Sequence, residues 1–200
     1  VEILSFDLEA SGGSKGRFDA KKGQLLLGWD ELTQFGYTIY RGGAKVQSGT
    51  IDIRPDVEIE PVVQRITKLT PAKLANAARF EQVASQILTL MQGRVLVGQG
   101  ALKNDWSWLQ SNFARLGVDL PGPRGLMLDT HVLSFHNFPQ GTGLKNLVAH
   151  YGIEKGQNHD AGYDAAAAGA VLQVMLREKG AVTLGDAFRL QAQGQDLMHK

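Results

Sequence analysis

The chain has 200 residues, 43% hydrophobic and 20% charged, with a formal net charge of +1 and no cysteine. That length and apolar content suit one α/β domain with a full core. The missing thiols exclude disulfides and thiolate metal sites, so any metal must be held by oxygen or imidazole.

The longest apolar runs, such as Ala165 to Leu172, fall far short of the roughly 20 residues that span a bilayer. The opening also lacks a basic-then-apolar leader pattern, so a soluble, cytoplasmic protein with no membrane partner is expected. The chain starts at Val1, already inside a strand pattern, and reads as a domain cut from something longer.

VEILSFDLE, residues 1–9, predicts a first strand. Residues 11–24, SGGSKGRFDAKKGQ, are rich in glycine, serine and basic side chains and predict an exposed, mobile loop. LTQFGYTIYR and KVQSGTIDIRP then predict two strands joined at Gly42–Gly43 as a hairpin, giving three antiparallel strands in succession. After Pro55 the period becomes helical, first in VVQRITKL and, beyond a break at Thr70–Pro71, in NAARFEQVASQILTLMQG with Phe80, Val83, Ile87, Leu88 and Met91 on its apolar face. RVLVGQG is a short apolar strand of the parallel, central kind. WSWLQSNFARLG predicts a helix with Leu109, Phe113 and Leu116 on one side, and RGLMLDT a further short strand. Helices over about 143–151, 161–179 and 183–198 complete the order, and Ala165 to Ala168 are small enough to let the second of these lie close to a sheet. Strands first, then strand and helix in alternation, imply a mixed sheet flanked by helices, with ligands at strand ends where the topology switches.

Asp7 and Glu9 are the anomaly in this pattern. Side chains alternate along a strand, so both point to one face with Cα atoms about 7 Å apart. Like charges so placed repel unless a cation lies between them. Asp105 sits just past the apolar strand at the opening of a helix, and His159 and Asp164 stand five residues apart at the start of another. Carboxylates in that number suit Mg²⁺ or Mn²⁺, and two such ions about 4 Å apart would clamp both sides of a displacement at phosphorus. Each residue taken singly has a plainer reading. Asp7 and Glu9 could end a solvated edge strand, Asp105 could cap its helix, Asp164 could favour a helix dipole, and His159 could be a loop histidine. Asp129 in LDT is a rival ligand that reads better as a cap to the residues after it. His131, His136, His150 and His199 match no carboxylate pattern and read as surface or packed histidines.

FDLEAS, GQGALKNDWSWL and HDAGYDA resemble the three motifs of the DEDDh (DnaQ-like) 3′-5′ exonucleases, which include the proofreading subunit of bacterial DNA polymerase III. The resemblance runs over about residues 3 to 178 and takes in ITKLTPAKL and LDTHVLS. It implies an RNase H-like fold, three antiparallel strands followed by parallel ones, as an exonuclease domain over 1–180. A C-terminal helix and polar tail over 181–200 would lead to or dock on another domain. The implied reaction is metal-dependent hydrolysis of the terminal phosphodiester at the 3′ end of single-stranded DNA, or of RNA in a trimming relative, releasing nucleoside 5′-monophosphates. By the resemblance, Asp7, Glu9 and Asp164 would hold the ion on the attacking side. Asp7 would also reach a second ion, Asp105 would hold that second ion through water, and His159 would be the general base.

Substrate contacts are expected at Leu8, Leu69 and Trp106, with Leu69 in the segment that members of the resembled family use to grip the last nucleotides and Trp106 next to Asp105. Leu69 reads equally as a wedge against a terminal base and as helix-end packing. Trp106 could flank the site, with burial the better fit. Lys15, Arg17, Lys21 and Lys22 could guide a phosphate backbone or simply be solvated. A polymerase or a neighbouring domain is the implied protein partner. Three departures stand out: Gln99 where the family has histidine, with one extra residue before Asp105; Asp160 where an arginine often follows the histidine; and a long segment from 11 to about 30. Inactive relatives usually lose an acid or the histidine, and all five are kept here, so a silent nucleic-acid-binding domain ranks below the enzyme.

Overall fold

Strand β1 (Glu2–Ala10) shows how the sequence positions everything else. Its even residues Leu4, Phe6, Leu8 and Ala10 are buried in one apolar cluster. Its odd residues Ser5, Asp7 and Glu9 point to the opposite face. In this computed structural model the described residues are 1–14, 17–19, 22, 24–123, 125–135, 138, 143–154 and 159–198. Lys15, Lys21, His136 and His199 lie outside them, as does the side chain of Arg17.

β1 pairs antiparallel with β4 (Leu32–Arg41), and β4 with β5 (Ala44–Asp52). Gly42 and Gly43, with φ of 58° and 84°, make the left-handed turn that the right-handed twist of a tight hairpin requires. On its other side β1 pairs in parallel with β6 (Val95–Gly98), which pairs in parallel with β7 (Met127–Asp129). The five-stranded order is β5-β4-β1-β6-β7, the expected mixed sheet with β1 at its centre.

Helices α3 (Phe80–Met91) and α4 (Asp105–Arg115) cover the face of Phe6 and Leu8. The other face is covered by α6 (Leu144–His150), α7 (Ala161–Glu178) and α8 (Leu184–Met198). α1 (Pro61–Thr67) and α2 (Pro71–Leu74) form a small satellite around Ile59, Leu69 and Leu74. The break between them is a left-handed Lys68 (φ 62°) followed by Thr70, whose hydroxyl accepts the Lys73 N–H. No helix among the described residues is long and apolar enough to cross a membrane.

Three expectations need correction. Residues 11–24 are not simply an exposed loop: Arg17–Asp19 (β2) and Gln24–Leu26 (β3) form an antiparallel ribbon. The base of that ribbon is closed by a buried carboxylate, Asp30, which accepts from the Ser11 hydroxyl at 2.9 Å and from the Ser14 N–H. Next, the strand expected over RGLMLDT is confined to Met127–Asp129: Asp129, the cap read from the sequence, accepts the His131 N–H and starts a short helix that was not expected, α5 (Thr130–Ser134). Finally, Leu116 does not join Leu109 and Phe113 in the core, since α4 ends at Arg115 and leaves it 41% exposed.

Candidate active site

Helix α7 reaches the sheet because the residues between them are small. Gly36 is opposite Asp7 in the β1–β4 ladder, and a Cβ there would lie 1.9 Å from the Ala161 carbonyl carbon. Ala165, Ala167 and Ala168 are buried. The Ser5 hydroxyl donates to the Ala165 carbonyl at 2.6 Å and the Tyr40 hydroxyl to the Ala166 carbonyl at 3.1 Å. At the helix start Asp160 is the N-cap and accepts the Tyr163 N–H, while the amide oxygen of Gln34 accepts the Ala161 N–H at 2.9 Å. Gln34 faces Glu9 across the ladder. The first turn of α7 is therefore seated directly over the odd face of β1.

That seating brings Asp164 to Asp7 and Glu9. Glu9, His159 and Asp164 each offer one ligand atom, and these three atoms lie within 4.8 Å of one another. His159 has a left-handed backbone (φ 61°), unusual for a residue with a Cβ. Its N–H donates to Asp164 Oδ2 at 3.0 Å. Asp105, on the first turn of α4 and 6% exposed, lies outside that trio but near enough for its charge to act on Asp7 and Glu9.

Crowding is recorded in the carboxyl acidities. Burial pushes Asp7 well above the usual carboxylate range, and the charges of Asp105, Asp164, Glu9 and Asp160 push it further. Burial, with Asp164, Asp105 and Asp160 behind it, pushes Glu9 up to about 8. Asp164 is raised by burial against the lowering effect of the His159 N–H and charge. Glu2 pairs with Arg41 and Arg94, Asp56 with Arg79, and Asp186 with Arg189. Half-buried carboxylates of one sign, with an imidazole beside them, fit a hard divalent cation of the magnesium or manganese class.

The other sequence candidates fall elsewhere. Leu8 is buried within the β1 core face. Leu69 is 1% exposed and packs with Ile59 and Leu74. Trp106 is 3% exposed, donates its indole N–H to the Pro121 carbonyl at 3.1 Å, and walls an apolar cavity of about 610 Å³ with Leu88, Met91, Leu96 and Leu120. For Leu69 and Trp106 these surroundings favour packing over contact with a base. Asp129 is a structural acid, accepting the N–H groups of Gly100, Leu102 and His131. His131 and His150 make edge contacts with Phe135 and with Phe138 and Tyr151. Two residues that hold the site together, Gln34 and Gly36, were not singled out from sequence. Their signal is a buried amide and a glycine inside an apolar strand, the latter a mark of close backbone approach.

A protein-family model described as exonuclease, RNase_T, matches residues 4–172. Among curated proteins, the chain is 29% identical to Protein NEN4 of Arabidopsis thaliana over 159 residues, 76% of this chain and 58% of that one. It is 28% identical to the 3′-5′ exonuclease DinG of Staphylococcus epidermidis over 155 residues, 76% of this chain and 17% of that one. It is 25% identical to the PolC-type DNA polymerase III of Clostridium perfringens over 179 residues, 88% and 11% respectively. The chain thus spans less than two thirds of each of these relatives. Among solved structures, exonuclease X bound to 5′-overhanging duplex DNA superimposes with a TM-score of 0.70 at 19% identity, covering 94% of this chain and 99% of that one. Escherichia coli exonuclease I with a dT13 oligonucleotide gives 0.73 at 17% identity, covering 90% and 42%. At these identities the likeness concerns the fold.

Proposed function

The chain belongs to the RNase_T exonuclease family, and from that premise we propose that its acid cluster hydrolyses the terminal phosphodiester at the 3′ end of single-stranded DNA, releasing nucleoside 5′-monophosphates. One observation carries the reading: Glu9 and Asp164 offer ligand atoms within 4.8 Å of one from His159, and the charges of Asp105 and Asp164 raise both Asp7 and Glu9, although the five residues come from three distant stretches of the chain. Asp7, Glu9, Asp105 and Asp164 would hold two Mg²⁺ or Mn²⁺ ions, which when bound stabilise charge on the phosphoryl oxygens and acidify water.

The chain's own groups do the rest. His159 accepts the proton of the attacking water, the task of a general base placed beside the metal-holding acids. Asp164 keeps the histidine backbone in its left-handed turn, which fixes where the ring is presented. Gln34, through the Ala161 N–H, holds the helix that carries Asp164. Single-stranded DNA as substrate is supported by the oligonucleotide complexes of the exonuclease I neighbours. A polymerase or an adjoining domain as partner is supported by the PolC-type relative, of which this chain spans 11%.

The test supplies 5′-labelled single-stranded DNA and matching RNA with Mg²⁺, with Mn²⁺, or with chelator. The expected result is a ladder shortening from the 3′ end, faster on DNA, absent with chelator and absent in Asp7→Ala. Internal cuts reject the exonuclease reading, and full activity in Asp7→Ala removes the assigned site.

A further inference from the structure

We propose that the C-terminal helix α8 is a working part of this site: through Gln191 and Asp129 it fixes the turn between β6 and α4 that presents Asp105. The inference rests on the reading of Asp105 as a metal-holding acid. Gln191 and Asp129 are positioning residues and touch no reacting atom.

Strand β7 is an edge of the sheet, paired only with β6. An edge leaves outward N–H and carbonyl groups that need partners when buried. Gln191, 7% exposed, meets two of them with one side chain. Its Oε1 accepts the Asp129 N–H at 2.6 Å and its Nε2 donates to the Met127 carbonyl at 2.9 Å. The amide thereby stands in for one peptide unit of a sixth strand. Three residues on, Gly194 presses against α5, where a Cβ would lie 2.5 Å from the Val132 carbonyl oxygen. These two contacts, three residues apart on one side of α8, seat the helix on the end of β7.

The Asp129 held in this way commits both carboxylate oxygens to the chain. Oδ1 accepts the Gly100 N–H at 2.8 Å and the His131 N–H at 2.9 Å, and Oδ2 accepts the Leu102 N–H at 3.0 Å. Gly100 takes a left-handed φ of 69°, its carbonyl accepts the Asn104 N–H at 3.1 Å, and the Ala101 carbonyl accepts the Trp106 N–H at 3.0 Å. A shift of Asp129 is therefore passed through the turn to the residues on both sides of Asp105. The family match ends at residue 172, so α8 lies outside the segment that the family model covers.

The test uses the whole chain and Gln191→Leu, which keeps the side chain's bulk and removes both hydrogen bonds. Hydrogen exchange at the Gly100 and Leu102 amides and the affinity for Mn²⁺ are measured with and without the substitution, together with kcat and KM. Exchange at both amides is expected to speed up, and Mn²⁺ binding or turnover to fall about 10- to 100-fold, the usual effect of losing an outer partner of a metal ligand. KM should hold, and the loss should vanish in an Asp105→Asn background. If Gln191→Leu does not fold, Gln191→Met, an unbranched side chain of similar length that makes neither hydrogen bond, carries the same comparison. Unchanged exchange at Gly100 and Leu102 in a folded variant overturns the relay, as does a loss that multiplies in full with that of Asp105→Asn. A wild-type chain that cleaves no nucleic acid while exchange still responds to Gln191→Leu would sink the functional reading and leave the relay standing.

Discussion

At the residue scale, two acids on one face of a strand create a debt of charge that a proton or a cation must settle. Without a cation, Glu9 titrates at about 8 against an ordinary 4.5, so the folded chain keeps a proton that the unfolded chain releases. Stability from this group is complete below the unfolded value and is lost as pH rises toward the folded one. In chelator, the melting temperature should therefore fall between about pH 5 and pH 8.5, and Mn²⁺ should raise it more at the higher pH, where no proton competes. A melting temperature in chelator that is flat over that range contradicts the crowding. Removing the base tests a different property. His159→Ala should slow turnover by about 10²- to 10⁴-fold with Mn²⁺ affinity largely kept, as calorimetry and single-turnover kinetics would show. Equal loss of metal binding would make the imidazole a ligand, a role that its place beside Glu9 and Asp164 also permits sterically.

At the element scale, the decisive contact is α7 lying on β4 at Gly36. A methyl group there has no free space, only the Ala161 and Gly162 backbone within about 2 Å. Gly36→Ala should lower stability by about 1–3 kcal/mol or more and cost activity through displacement of Asp164. Thermal unfolding and nuclease rate measured together check this, and a variant with unchanged melting and rate refutes the seating. Much of this layout was legible in the sequence. The alternation of β1, the hairpin at Gly42–Gly43, the apolar stripe of α3 and the alanine run of α7 each announce one element and one face. What escaped are features set by distant partners. The β2–β3 ribbon looks like a loop because glycine and lysine dominate its composition, while its closure depends on Asp30 and Ser11. α5 escaped although its cap, Asp129, was read as one, because five residues directly after a strand are too few to show a helical period. Asp105 stood in an altered spacing, and its burial at the first turn of α4 beside the strand acids needed the tertiary fold to be seen.

At the scale of the whole molecule, a net charge of +1 looks indifferent to nucleic acid, yet four acids gathered around cations leave the remaining surface with positive charge in surplus. Binding of a single strand by Asp7→Ala, followed by anisotropy, should weaken with salt, roughly ten-fold between about 50 and 200 mM for two or three contacted phosphates. Salt-independent binding would mean that the backbone phosphates are not gripped. Sequence distance has a temporal side as well. β1 touches α7 through Ser5 and Ala165, which are 160 residues apart. A growing chain still on the ribosome carries Asp7 and Glu9 through about 150 further residues without the histidine and acid that complete them. Translation itself acts as a safety catch, holding the acid cluster incomplete until the segment that carries His159 and Asp164 has emerged.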